Sequence, residues 1–112
     1  MNPMETDDLR CRVVQYVLER KCLSGGFCFY RLQEPNGADT WHALSILALL
    51  QAGIADEATA AYLKGTQHPD GSYDSLYAAW YAIRGLALLG EKPSRDPRPY
   101  VMSSLAQYRF DA

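Results

Sequence analysis

Tyr62-Leu63-Lys64-Gly65-Thr66-Gln67-His68-Pro69-Asp70-Gly71-Ser72-Tyr73 runs directly into Asp74-Ser75-Leu76-Tyr77-Ala78-Ala79-Trp80-Tyr81-Ala82-Ile83-Arg84-Gly85-Leu86-Ala87-Leu88-Leu89-Gly90. This stretch passes from an amphipathic segment, through a glycine turn followed by an aromatic, into an almost wholly apolar segment stopped by glycine. An earlier stretch, from Val17 to Gly53, has the same order of parts. Its turn is Ser24-Gly25-Gly26-Phe27, and its apolar segment is Trp41-His42-Ala43-Leu44-Ser45-Ile46-Leu47-Ala48-Leu49-Leu50. Setting Trp41 on Trp80 matches Ala43, Leu47, Ala48, Leu49 and Leu50 with Ala82, Leu86, Ala87, Leu88 and Leu89. A period of about forty residues is that of a repeated helical supersecondary unit.

Working outward, five helices are expected. The first covers about Thr6 to Lys21, with Thr6 as its cap, Asp7 and Asp8 at its positive end, and Arg20 and Lys21 at its negative end. Leu9, Val13, Tyr16 and Val17 make its apolar stripe. The second covers about Asp39 to Ala52. Asp39 or Thr40 caps it after the Pro35-Asn36-Gly37 turn, and Gly53 ends it in the left-handed conformation. The third, about Asp56 to Gly65, turns Ala58, Ala61 and Tyr62 inward. The fourth, about Ser75 to Leu89, is broken only by Arg84 and stopped by Gly90. Pro97 and Pro99 favour a fifth start, followed by a stripe of Val101, Leu105 and Tyr108.

The helices therefore alternate between one wet side and apolar nearly all round. A helix of the second kind must be covered on more than one side. A two-layer curved stack meets that demand, with the wet helices outside and the dry ones inside. The expected architecture is a single all-α domain over 1–112, with repeats at about 6–53 and 56–90 and an incomplete third at 97–112.

Composition narrows the function classes. A formal net charge of −2 gives no electrostatic reason to expect nucleic acid. The apolar runs are too short to span a bilayer. Glu5, Asp7 and Asp8 stand where a signal peptide would need basic and then apolar residues. Three cysteines, Cys11, Cys22 and Cys28, without a Cys-x-x-Cys pair read as reduced thiols of a cytoplasmic protein. A Cys22/Cys28/His42 metal set has no close ligand pair to anchor it.

Tyr62-Leu63, three residues, Gln67, three residues and Gly71-Ser72-Tyr73 together resemble an aromatic-Leu-x3-Gln…Gly-x-Trp repeat signature. That signature is shared by protein prenyltransferase β-subunits and the squalene, oxidosqualene and class II diterpene cyclases. Val17-Leu18, Cys22 near the Gln position, and Gly25-Gly26-Phe27 resemble a degenerate copy. The resemblance implies about two and a half helical-hairpin repeats forming an arc of an α/α toroid. It implies a Gln67 side chain that ties the end of an outer helix to the start of the next helix. It also implies an isoprenoid ligand, and copies or a partner chain completing the ring.

Two further likenesses bear on chemistry. Asp74-Ser75-Leu76-Tyr77-Ala78-Ala79-Trp80 is similar to the Asp-x-Cys-Tyr-x-x-Trp zinc segment of the prenyltransferases, and Asp39-Thr40-Trp41-His42 to their Asp-x-Tyr-His segment. The resemblance so implies zinc at Asp74 and His42, but Leu76 stands where the thiolate ligand belongs. A catalytic zinc needs three protein ligands and an open position. The Asp-x-Asp-Asp acid of the cyclases has no counterpart. Trp41, Tyr77, Trp80 and Tyr81 read either as cavity lining that stabilises cations or as packing residues. Arg84 reads as a diphosphate contact or as the partner of a nearby carboxylate. Asp39 and Asp74 read as caps at equivalent starts of the inner helices, His42 as facing the interior or a cavity, and His68 as a solvated loop residue.

Overall fold

The computed structural model describes residues 2–30 and 34–111, with nothing stated of the side chains of 108–111. Five helices follow in order: α1 Pro3–Leu18, α2 Gly37–Leu49, α3 Glu57–Gly65, α4 Leu76–Leu88 and α5 Arg98–Asp111. No strand occurs among the described residues, only an isolated antiparallel bridge between Lys21 and Phe27. The fold is all-α. The most extensive packing is between the two dry helices α2 and α4. Helix α1 lies on α2, and both α3 and α5 lie on α4. Ala43, Leu44 and Leu47 of α2 meet Ala79, Ala82 and Leu86 of α4 in the core, with Leu63 of α3 and Phe27 and Tyr73 from the two turns.

The helix starts differ from the sequence expectation. Asn2, not Thr6, caps α1 through a capping box with Glu5, because Pro3 suits a first helical position that has no amide to satisfy. Asn36 caps α2 by accepting from the Asp39 amide, and Ser75 caps α4 by accepting from the Ala78 amide. Asp39 and Asp74 are therefore not the caps. Asp39 instead accepts from the Phe29 amide (2.9 Å) and the Asn36 side chain (2.9 Å).

Two buried faces also differ. Helix α3 buries Thr59, Ala60 and Leu63, while Ala58 and Ala61 are exposed and Tyr62 is half-buried. Helix α1 buries Val17 alone; Leu9 and Tyr16 are half exposed. The Tyr108 side chain, read as part of the α5 stripe, lies outside the described side chains.

The two turns superpose in their hydrogen bonds at a shift of 46 residues, Phe27 on Tyr73. Cys22 N–H donates to the Gly26 carbonyl as His68 N–H does to Ser72, and Gly25 N–H to Cys22 as Gly71 N–H does to His68. Gly25 (φ +100°) and Gly71 (φ +92°) hold the same left-handed position. By this register Lys21, not Cys22, occupies the Gln67 position. Each reaches the next outer helix. The Gln67 side chain exchanges two hydrogen bonds with the Arg95 backbone (3.0 Å each), just before α5, and donates a third to the Gly71 carbonyl (3.1 Å). Lys21 pairs with Asp56 (3.0 Å), the N-cap of α3.

The first turn is bonded further. Gly26 N–H donates to the Thr59 hydroxyl (3.1 Å) and Phe27 N–H to the Thr40 hydroxyl (3.0 Å), both threonines being fully buried. The Thr59 hydroxyl in turn donates to Asp56 (2.6 Å). A Cβ at Gly25 would run into the Ala58 carbonyl oxygen. In the second turn Tyr73 replaces Phe27. Its ring packs on Tyr100 (6.0 Å between centroids), but its buried hydroxyl finds no partner among the described residues. Burial pushes that hydroxyl above its ordinary pKa.

Both inner helices end in the same paired-bond motif. Ala52 N–H donates to Leu47 and Gln51 to Ala48, as Glu91 does to Leu86 and Gly90 to Ala87. Arg10 of α1 adds a bond to the Leu50 carbonyl (2.8 Å). The left-handed residue is Gly90 (φ +73°) in one copy and Gln51 (φ +55°), not Gly53, in the other. A side chain in that conformation costs about 1 kcal/mol relative to glycine. Gln51→Gly should stabilise the protein by up to about that much in urea unfolding, offset partly by the freer unfolded chain, and Gly90→Gln should destabilise it. Burial raises the Asp56 pKa, but the Thr59 and Lys21 contacts outweigh it, leaving the carboxyl below its ordinary 3.8. Its contribution is therefore fully present above that value and lost as pH falls from it through the lowered pKa of the folded state. Asp56→Asn should lower stability at neutral pH and flatten the acid limb of the stability–pH curve.

Candidate functional site

Beside α4 lies a half-open groove of about 800 Å³, floored by Leu76, Ala79 and Ile83 and walled by Val101 and Leu105 of α5. Tyr77, Trp80, Tyr81 and Arg84 continue it around α4. The two sets are adjacent stripes of one helix, at the spacing i, i+3 or i+4, i+7. Arg84 is the one charged residue in this lining among the described residues. Such a site is apolar, concave and carries one cation at its edge, which is the general form of a pocket for an apolar molecule with an anionic end.

Arg84 pairs with no carboxylate among the described residues. Its guanidinium instead lies 5.2 Å from the centre of the Trp80 ring and 5.7 Å from that of Trp41. Trp41 belongs to α2, so this contact joins the inner helices through the two tryptophans that the repeat makes equivalent. The indole faces attract the cation at about 0.5–1 kcal/mol each when exposed. They also hold the guanidinium beside both α2 and α4. Among the described residues the contacts of Arg84 are thus with indole faces and not with a carboxylate.

The remaining candidates are placed as follows. Tyr77 is 73% exposed and Trp80 53%, so neither is a core residue. Tyr81 is half-buried, its Cβ beside Gly37 at the start of α2, and its ring lies 6.4 Å from His42. His42 is exposed and faces no closed interior. Asp74 is exposed and bonded to His68 (2.8 Å), which is consequently paired and not merely solvated. Gly25, Gly26, Phe27, Tyr62, Leu63, Gln67, Gly71 and Tyr73 build the repeat joints described above and line no part of the groove.

The donor set does not fit a catalytic zinc. Leu76 offers no ligating atom and lies in the groove floor; Asp74 is engaged by His68. No group of three His, Cys, Asp or Glu side chains close enough to hold a metal occurs among the described residues. Cys22 and Cys28 are buried, and burial first, then the neighbouring Cys28 and Asp39, push the Cys22 thiol above its ordinary pKa. This makes Cys22 a poor nucleophile at neutral pH. Asp7 and Asp8 sit on the outer surface of α1, with Asp8 paired to Arg12 (2.9 Å). Among the described residues, no helix is long and apolar enough to cross a membrane.

No protein-family model matches the chain, and no significant match is found among curated proteins or solved structures.

Proposed function

We propose that the chain is a helical-repeat protein of the prenyltransferase and terpene-cyclase kind that binds an isoprenoid-type apolar chain on its inner face without turning it over by itself. The observation that carries this reading is the groove of about 800 Å³ in which Arg84 is, among the described residues, the one charged group beside apolar and aromatic side chains. An apolar tail would lie along Leu76, Ala79 and Ile83, and an anionic head would meet Arg84 between the two indoles. Binding rather than catalysis follows from Leu76 and from the engagement of Asp74 by His68. The free thiols Cys11, Cys22 and Cys28 support placing the protein in the cytoplasm.

A second reading is that the inner face associates with another protein surface. It is favoured by Leu49, which is 82% exposed at the opposite edge of α2, outside the groove. Contiguous exposed apolar side chains, as Tyr77, Trp80 and Leu105 are along the groove, mark association sites.

Trp41 and Trp80 are the only tryptophans, so their fluorescence reports directly on the site. Farnesyl or geranylgeranyl diphosphate should change it saturably, and Arg84→Ala should weaken the diphosphates about 10-fold or more, with a smaller effect on farnesol. A diphosphate titration without saturation, or one unchanged by Arg84→Ala, would contradict the ligand reading.

A further inference from the structure

Helix α4 carries a row of four exposed side chains: Tyr77, Trp80, Arg84 and Ala87. They lie opposite the residues that the same helix buries, Ala79, Ala82, Gly85 and Leu86. Their spacing of three, four and three residues is that of the seam between two helices packed along their length. The neighbouring helices sit to either side of the row. Tyr81 and Gly85 lie against α2, and Val101 and Leu105 of α5 lie past Leu76 and Ile83. Arg84 leans toward α2, over Trp41. Tyr77 at 73% and Trp80 at 53% exposure leave about 250–300 Å² uncovered between them. With Arg84, Ala87 and the groove side chains Leu76, Ile83 and Leu105, the patch is on the order of 600 Å². That is what each partner contributes at the small end of specific interfaces.

The row is complementary to its own reverse. Helix α4 runs Leu76–Leu88, so its midpoint is Ala82. Two copies laid antiparallel with full overlap bring together positions that are symmetric about that residue. Tyr77 then meets Ala87 of the second copy, a large side chain against a small one, at both ends of the contact. Trp80 meets Arg84 of the second copy, an indole face against a guanidinium. A parallel arrangement would set each residue against its own copy. Arg84 would then oppose Arg84, two Tyr77 rings would crowd each other, and Ala87 would leave a gap.

We propose that two copies of this chain pair through α4, antiparallel about a two-fold axis at Ala82, with Tyr77 on Ala87 and Trp80 on Arg84 across the contact. This rests on the association reading of the inner face and commits it to one partner and one register. Both copies use the same surface, so the contact closes at a dimer. Because α2 and α5 lie to either side of the row, the two-fold sets each beside its own counterpart, on the flanks of the contact. The dimer covers Arg84, so a diphosphate head and a second copy exclude each other there.

The test exchanges the large and small residues. Tyr77→Ala and Ala87→Tyr each remove the match, and the double variant restores it with the roles reversed. Both positions are exposed, so the fold is spared. In sedimentation equilibrium the parent should pass from the 12.6 kDa of one chain to twice that mass as concentration rises. Each single variant should weaken pairing about 10-fold or more, and the double variant should return to within about 3-fold of the parent. A parent that is monomeric throughout would overturn this proposal and the association reading, while the diphosphate titration decides the ligand reading separately. A parent that dimerises while either single variant pairs as tightly, or while the double variant pairs no better than the single ones, would overturn the α4 register and leave association itself standing. Circular dichroism guards the result, since a variant that loses helix is replaced by Tyr77→Ser or Ala87→Phe.

Discussion

The structure depends on one joint, the Gly25–Gly26–Phe27 turn and the two buried hydroxyls that hold it. Gly25 must be glycine twice over. Its φ of +100° is open to few other residues, and the Ala58 carbonyl occupies the space a side chain would need. That closeness lets the Gly26 and Phe27 amides reach Thr59 on α3 and Thr40 on α2. A turn that leaves α1 is thereby fixed to an inner and an outer helix at once. Buried amides left without acceptors would cost about 1–3 kcal/mol each, so the threonines constrain as much as they stabilise. Thr59 passes the constraint to Asp56, and Asp56 to Lys21, which closes the circuit back to the chain just after α1.

The second joint solves the same problem with other chemistry. Gly71 repeats the backbone, but Gln67 makes its tie to Arg95 with a neutral amide where Lys21 uses a charge. Ala79 stands where Thr40 does and has no hydroxyl to offer. The aromatic that fills the joint is Phe27 in one copy and Tyr73 in the other, and the phenol brings a polar atom that finds no partner among the described residues. The repeat thus preserves geometry and exchanges the groups that satisfy it.

How much of this is legible in the chain follows from how local each signal is. The inner helices are plain in Ala43–Leu50 and Leu86–Leu89 because continuous apolar character is a property of neighbours. Which Asx or Ser residue caps is less so: Asn36 and Asp39 are three apart and both suited, and the backbone turn decides for Asn36. Gln51 in a left-handed conformation leaves no compositional trace, whereas Gly90 at the equivalent position is obvious. The inward face of α3 was obscured by alanines at 58, 60 and 61, any of which fits a helix interface. The candidate site suffers most, since the Arg84 contact with Trp41 joins residues from two repeats and no local pattern records it. What the sequence did expose was the alternation of wet and dry helices. That alternation is why α4 turns apolar side chains both to the core and to the groove.

If the first joint is what sets the helices in register, it should open only when the whole fold does. Native-state hydrogen exchange resolves this directly at two amides, Gly26 and Phe27. Both should exchange with the same opening free energy as the slowest amides of α2 and α4, and with the same dependence on denaturant. Exchange of these two amides by local opening, while the Leu44, Leu47 and Leu86 amides remain protected, would contradict the account.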